Sequence, residues 1–382
     1  MFPKNIFNAC RQQMLRKVGP MTRRMMLLIT AVWLFYTATV QAQVTTAAVP
    51  FVTIVPDARA GAMGELGVAI ADNVWAGFWN PAGYAFQQGS EVGLTHSNWL
   101  PTFGFSDLWI AHLAYKQPVE ELDGIVASQL TYLSYGEIAH TSADNVLLGT
   151  FNSYELAFAV SYGTKLSPAW GLGTSIRVIH SHLSDFGTEK EQGRGVSTGF
   201  CFDVGAMYKP QTWGVPITFG VNIANIGPKM TYIDNAQADP MPMMLRLGVA
   251  YNVLESEYNN ITITAEASRL LVNRDSTYSD EFYKGFFTTW IYGGNFNEQL
   301  RKFDGAIGAE YWYGEPKLVA LRMGYFYEDP REGNRKFMTF GAGIRYDMYG
   351  LDFSYINSFE QQAPLGETLR FTLSIHWGGE DK

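Results

Sequence analysis

Tyr154-Glu155-Leu156-Ala157-Phe158-Ala159-Val160-Ser161-Tyr162-Gly163 decides the fold. Large apolar side chains occupy every second position, and Glu155, Ala157, Ala159, Ser161 and Gly163 fall between them. A period of two is a strand with unlike faces, here one wholly apolar and one small or polar. The same pattern returns at Thr198–Lys209, Leu245–Val253, Met338–Met348 and Leu369–Trp377. From residue 90 onward about fourteen such stretches follow one another, each of the length a tilted membrane strand requires.

A soluble sandwich would alternate too. Two observations favour a barrel in a membrane. The residues behind the apolar face are mostly glycine, alanine, serine and single charges, as in a lumen, and not a lysine-studded wet face. The connections also alternate in length: those near 136–152, 183–197, 226–243, 272–302 and 358–367 are long. Those near 166–169, 210–214, 255–260, 315–316 and 348–350 are short. That asymmetry is the outer-membrane pattern, with short turns in the periplasm. An even strand number then places both termini there. Trp109, Tyr132, Tyr208, Tyr251, Tyr311, Tyr313, Tyr325, Tyr327 and Tyr346 fall toward strand ends, as interfacial girdles do. The expected fold is all-β, a transmembrane antiparallel β-barrel of about fourteen strands with an N-terminal small-residue plug.

Composition agrees. Apolar residues make up 47% and aromatics 15%, with 38 glycines, yet charged residues are only 17%, against roughly a quarter in soluble domains. The first 42 residues read as a secretory signal: six basic residues, an apolar core from Met25 to Val40, and small residues before a cut at Ala42/Gln43. Met21 is an alternative start. Removing this segment takes the net charge from −8 to −14, which argues against nucleic acid as a partner. Cys201 is then the only cysteine left, so no internal disulfide forms. The expected organisation is a signal peptide over 1–42, an N-terminal segment and lumenal plug over 43–89, the barrel over 90–378 and a periplasmic tail over 379–382.

The plug is expected from Pro56 to Phe86. This stretch does not alternate, carries Gly61, Gly64 and Gly67, and is broken by Pro81. Inward charges on the strands are Glu155, Arg177, Asp203, Arg246, Glu266, Glu310, Arg322, Arg345, Asp352 and Arg370. At roughly 2–4 kcal/mol for a basic residue facing lipid at the midplane, they are expected to pair with one another and with Asp57, Arg59, Glu65 and Asp72 of the plug. The longest loop holds Phe282, Phe286, Phe287, Trp290 and Tyr292, too many large apolar groups for a solvated loop, and is a candidate partner-binding surface. Met230, Tyr232, Met241, Met243 and Met244 suggest the same more weakly, the alternative being that these loops fold inward and cap their own barrel.

Other motifs carry less. Gly195-Val196-Ser197-Thr198-Gly199 matches G-x-S-x-G, but a β-patterned run follows it where a nucleophile elbow needs a helix. His180 and His182 share a strand face without a third metal ligand nearby in sequence. Gly61, Gly64 and Gly67 have the spacing of a phosphate loop without its lysine or βαβ setting. Asp234–Asp239 lacks calcium-loop spacing. No catalytic residue, metal site or cofactor is expected, and the chain is not read as an enzyme.

The run Pro56-Asp57-Ala58-Arg59-Ala60-Gly61-Ala62-Met63-Gly64-Glu65-Leu66-Gly67-Val68-Ala69, followed by Trp79-Asn80-Pro81-Ala82, resembles the N-terminal signature of the PorV family of the type IX secretion system. That family is similar in turn to FadL-type fourteen-stranded barrels with an N-terminal hatch. One departure is Ala62, where a second glycine would be expected. The resemblance implies Pro56, Asp57, Arg59, Gly61, Gly64, Gly67, Asn80 and Pro81 as the plug motif. It also implies a role outside catalysis: an outer-membrane barrel that binds cargo proteins through their C-terminal signal domain and delivers them to the cell-surface attachment complex. The partners implied are cargo, the large translocon pore barrel, a sortase-like attachment component and outer-membrane lipid. The alternatives are a FadL-like transporter of hydrophobic small molecules and a sister barrel anchoring a different surface protein.

Overall fold

The computed structural model describes residues 47–379, apart from residues 105–106, 143, 145, 187–193, 213, 233–237, 274–278, 292–293 and 361–362. The described residues belong to one compact unit, Gln43–Lys382. The expected signal peptide, residues 43–46 of the N-terminal segment and residues 380–382 of the tail lie outside them.

Fourteen strands form a closed antiparallel barrel in which each is bonded to its sequence neighbours, and β1 closes on β14. They are β1 (Ser90–Asn98), β2 (Trp109–Val119), β3 (Gly124–Thr141), β4 (Leu147–Lys165), β5 (Trp170–Ser184), β6 (Gly195–Tyr208) and β7 (Ile217–Ile226). The circuit continues with β8 (Met244–Glu255), β9 (Asn259–Leu270), β10 (Phe303–Tyr313), β11 (Val319–Tyr327), β12 (Lys336–Tyr346), β13 (Tyr349–Ser358) and β14 (Leu369–Trp377). Closure matters because a spanning sheet has no water to satisfy a free edge. No described helix is long and apolar enough to cross a membrane.

The two faces behave as their side chains require. Leu156, Phe158, Val160, Phe200, Val204, Leu321, Leu373 and Phe371 point outward, while Glu155, Arg177, Asp203, Arg246, Glu310, Arg322 and Arg370 are buried in the lumen. Outward rings form girdles: His96, Trp109, Tyr132, Tyr154 and His182 touch in series at one rim. Trp170, Tyr208 and Phe219 do so at the other. Connections at 120–123, 166–169, 256–258 and 347–348 are tight, and both barrel ends lie on that side, where Ser90 pairs with Trp377. The opposite rim carries 99–108, 185–194, 227–243, 271–302 and 359–368.

Two connections depart from the sequence reading. Residues 136–152 are largely ladder, because β3 and β4 stay paired past Ser134 to Thr141 and Leu147 across two register shifts. The shifts move the side-chain phase and hide the period of two. The longest connection holds two helices, α3 (Phe282–Ile291) and α4 (Phe296–Arg301), which take their labels after two short plug helices, α1 (Ala58–Gly61) and α2 (Ala76–Trp79). Asn295 caps α4 in a reciprocal box with Glu298.

Candidate partner-binding site: lumen and outer rim

Residues 47–89 sit inside the barrel and touch every strand. Asp57 caps α1 by accepting the Ala60 amide, and its other oxygen accepts Trp79 Nε1 at 3.0 Å. Asn80 accepts from the Ala82 amide and donates to the carbonyls of Val68 (3.1 Å) and Ala206 (3.0 Å), tying two plug turns to β6. Gly67 lies under the Trp79 ring and Gly61 beside Arg370 and Ser354. Gly64, at φ +85°, presses its backbone on the Tyr325 and Ile307 carbonyls, a place and conformation that exclude a Cβ. The wall reciprocates: the Pro81 backbone abuts Gly173, the Val68 carbonyl Gly220, and Met63 both Gly308 and Gly324. Pro56 is buried in the same body.

Charge locks the contact. Arg59 binds Glu310 through Nε (2.8 Å) and Nη2 (2.7 Å) and also Asp72. Arg322 joins Glu310 (2.7 Å) to Asp352 (2.7 Å), which takes Arg345 at 2.6 Å. Three guanidinium groups and three carboxylates thus balance. Glu65 binds Arg370 at 2.7 Å, and Glu266 accepts the Gly67 and Val68 amides at 2.8 and 3.0 Å. Arg246 lies 4.8 Å over the Phe78 ring and donates to the Phe78 carbonyl. Three acids bond to neutral groups where ion pairing is expected, Glu266 among them. Asp57 bonds within the plug, and Glu155 accepts from the hydroxyls of Tyr135 (2.7 Å) and Ser181 (2.7 Å).

Above the plug, Ala48, Val49, Phe51 and Val52 pack with Ile110, Leu133, Ala157, Ile179, Met230 and Met241 in a second apolar layer. Met230 and Met241 are buried there and Met243 is buried nearby, so these methionines lid their own barrel and are not an exposed partner surface. This inward fold is the alternative that the sequence reading leaves open for the loop.

α3 is the exposed apolar element. Tyr283, Phe287 and Ile291, spaced four apart, share a face at 56, 63 and 69% exposure, with Trp290, Phe296 and Leu300 also exposed. Phe282 and Phe286 are half-buried, and Tyr292 lies outside the described residues. Gly285 and Thr289 turn inward. Phe282 and Gly285 line a small crevice with Lys229, Pro240, Met241, Met243 and Leu271. Beneath α3, Arg269 is buried with its guanidinium 4.0 Å from the Trp290 ring and donates to the Thr289 carbonyl and Gln299. The sequence reading missed Arg269, an arginine at a strand end with no acid at a telling spacing.

The model of the type IX secretion system protein PorV matches residues 37–277 of the chain. No curated protein matches the sequence. Among solved structures, a mutant of the TodX monoaromatic hydrocarbon channel superposes with a TM-score of 0.51 at 12% identity, over 84% of this chain and 98% of that one. A Pseudomonas aeruginosa FadL homologue matches at a TM-score of 0.47 and 12% identity, over 85% and 98% of the two chains.

Proposed function

The chain belongs to the PorV family of type IX secretion system proteins, and from that premise we propose that it takes hold of cargo proteins at the cell surface. It is an outer-membrane β-barrel and a secretion component. The finer reading is that it binds the C-terminal signal domain of cargo leaving the translocon pore barrel and passes it to the sortase-like attachment component.

The observation that carries this reading is the apolar face of α3, set on the rim opposite the tight turns. Tyr283, Phe287 and Ile291 are exposed together on a helix whose other side is already packed. A patch of this kind on a wet rim has a use only against another apolar surface. With the tight turns in the periplasm, that rim faces outward, where exported cargo emerges. The family is one of secretion components, not enzymes. In keeping with that, Ser197 of the G-x-S-x-G run is buried within β6 with strand continuing after it.

The test is capture of a purified cargo C-terminal domain by the detergent-solubilised barrel. Phe287→Glu combined with Ile291→Glu is expected to reduce capture at least about tenfold, since each buried apolar side chain contributes roughly 1.5–3 kcal/mol. Unchanged capture would remove α3 from the site. The transporter reading competes only if the lumen passes a ligand, and the plug's contact with all fourteen strands weighs against it. Fatty acid or lipid co-purifying inside the barrel would favour it.

A further inference from the structure

At the outer aromatic girdle the wall is fully paired from β2 to β6, through Trp109 with Ser134, Leu156 with Tyr132, Tyr154 with His182, and His182 with Val196. β6 then loses its next neighbour. Its pairing with β7 ends at Phe202 opposite Ile226, after a register shift. The cause is a buried trio: Asp203 accepts the Asn225 amide at 2.7 Å, Asn225 sits at φ +57°, and Arg177 bonds both side chains. Side-chain bonds take over the ladder there and the chain leaves the wall. Gly227 closes on the Phe200 carbonyl, and Met230 and Met241 pack lumenward under Gly199.

Gly195–Gly199 therefore has a partner in β5 but no paired strand on the β7 side among the described residues, whereas Gly227 covers the edge at Phe200 and Cys201. An unpaired strand edge is a template for another backbone, and at a lipid boundary its free amides and carbonyls are costly to leave unmet. The edge is long enough for an ordinary strand and lies on the rim that carries α3. The connection 227–243 reaches α3's leading end through Lys229, which bonds the Ser279 carbonyl at 2.6 Å and Glu281 at 3.3 Å.

We propose that the outer end of β6, Gly195–Gly199, is a strand-addition site that takes an extended segment of the cargo's C-terminal β-domain by backbone pairing. This rests on the cargo-binding reading and names the contact within it. Backbone pairing supplies affinity indifferent to side chains, and α3 supplies an apolar wall beside it. One barrel can then accept many cargoes of different sequence.

The experiment uses the full-length barrel in detergent and a purified cargo C-terminal domain. Thr198→Pro removes an edge amide and should lower capture about tenfold. In parallel, a benzophenone side chain replaces Thr198, and in a second protein Leu321 on β11. Cross-linking to the cargo domain from position 198 but not from 321 supports strand addition. Capture without a cross-link at 198, or a cross-link there to lipid alone, overturns it and leaves the cargo reading standing. Failure of the unaltered barrel to capture the domain overturns both. Should Thr198→Pro not fold, the cross-link decides alone.

Discussion

Glu310 shows how single residues hold the lumen together. Its two oxygens receive Arg59 from the plug and Arg322 from the neighbouring strand, and it is almost wholly buried. Glu310→Gln leaves three guanidinium groups, Arg59, Arg322 and Arg345, on two carboxylates, Asp72 and Asp352. Breaking such a pair costs about 3–5 kcal/mol, so the urea midpoint of the refolded barrel should fall clearly. A midpoint equal to the unaltered protein's would mean that the Glu310 contacts add nothing to holding the plug. The sequence named these charges as inward and named Arg59 as a plug partner. It did not supply the pairing, because strands far apart in the chain set which carboxylate meets which guanidinium.

At the scale of the element, the hairpin of β3 and β4 and the helix α3 both project from the same rim, for opposite reasons. The hairpin continues an existing ladder above the girdle residues Tyr132 and Tyr154, and among the described residues its rings at His140 and Phe151 meet the Phe186 ring. Replacing residues 137–152 with a tight Asn-Gly turn should leave barrel stability within about 1 kcal/mol, as for surface changes away from packed features. The heat-modifiable shift on a gel checks this, and its loss would show that the hairpin nucleates the sheet. α3 was legible in the sequence as an apolar anomaly but not as a helix. Its rings read as a cluster, and only their spacing of four, seen once Gly285 and Thr289 turn inward, sorts an exposed face from a packed one.

For the whole molecule, the plug and the methionine lid fill the lumen in two layers, one around Trp75, Trp79 and Tyr84 and one around Phe51 and Met230. A barrel so filled is expected to show no steady conductance in a planar bilayer. Stable open channels from the intact protein would instead favour passage of a small solute. By itself the sequence determined the strand period, the antiparallel order and the composition of each face, because alternation is local and every residue declares which solvent it tolerates. It also marked the plug, whose small residues fit no strand. Tertiary structure alone decided what the plug touches, why Met230 and Met241 turn inward, and that β6 outruns β7. Those outcomes depend on residues distant in the chain meeting at one height in the cylinder: the Arg177, Asp203 and Asn225 trio ends a ladder that no single stretch of sequence could have ended.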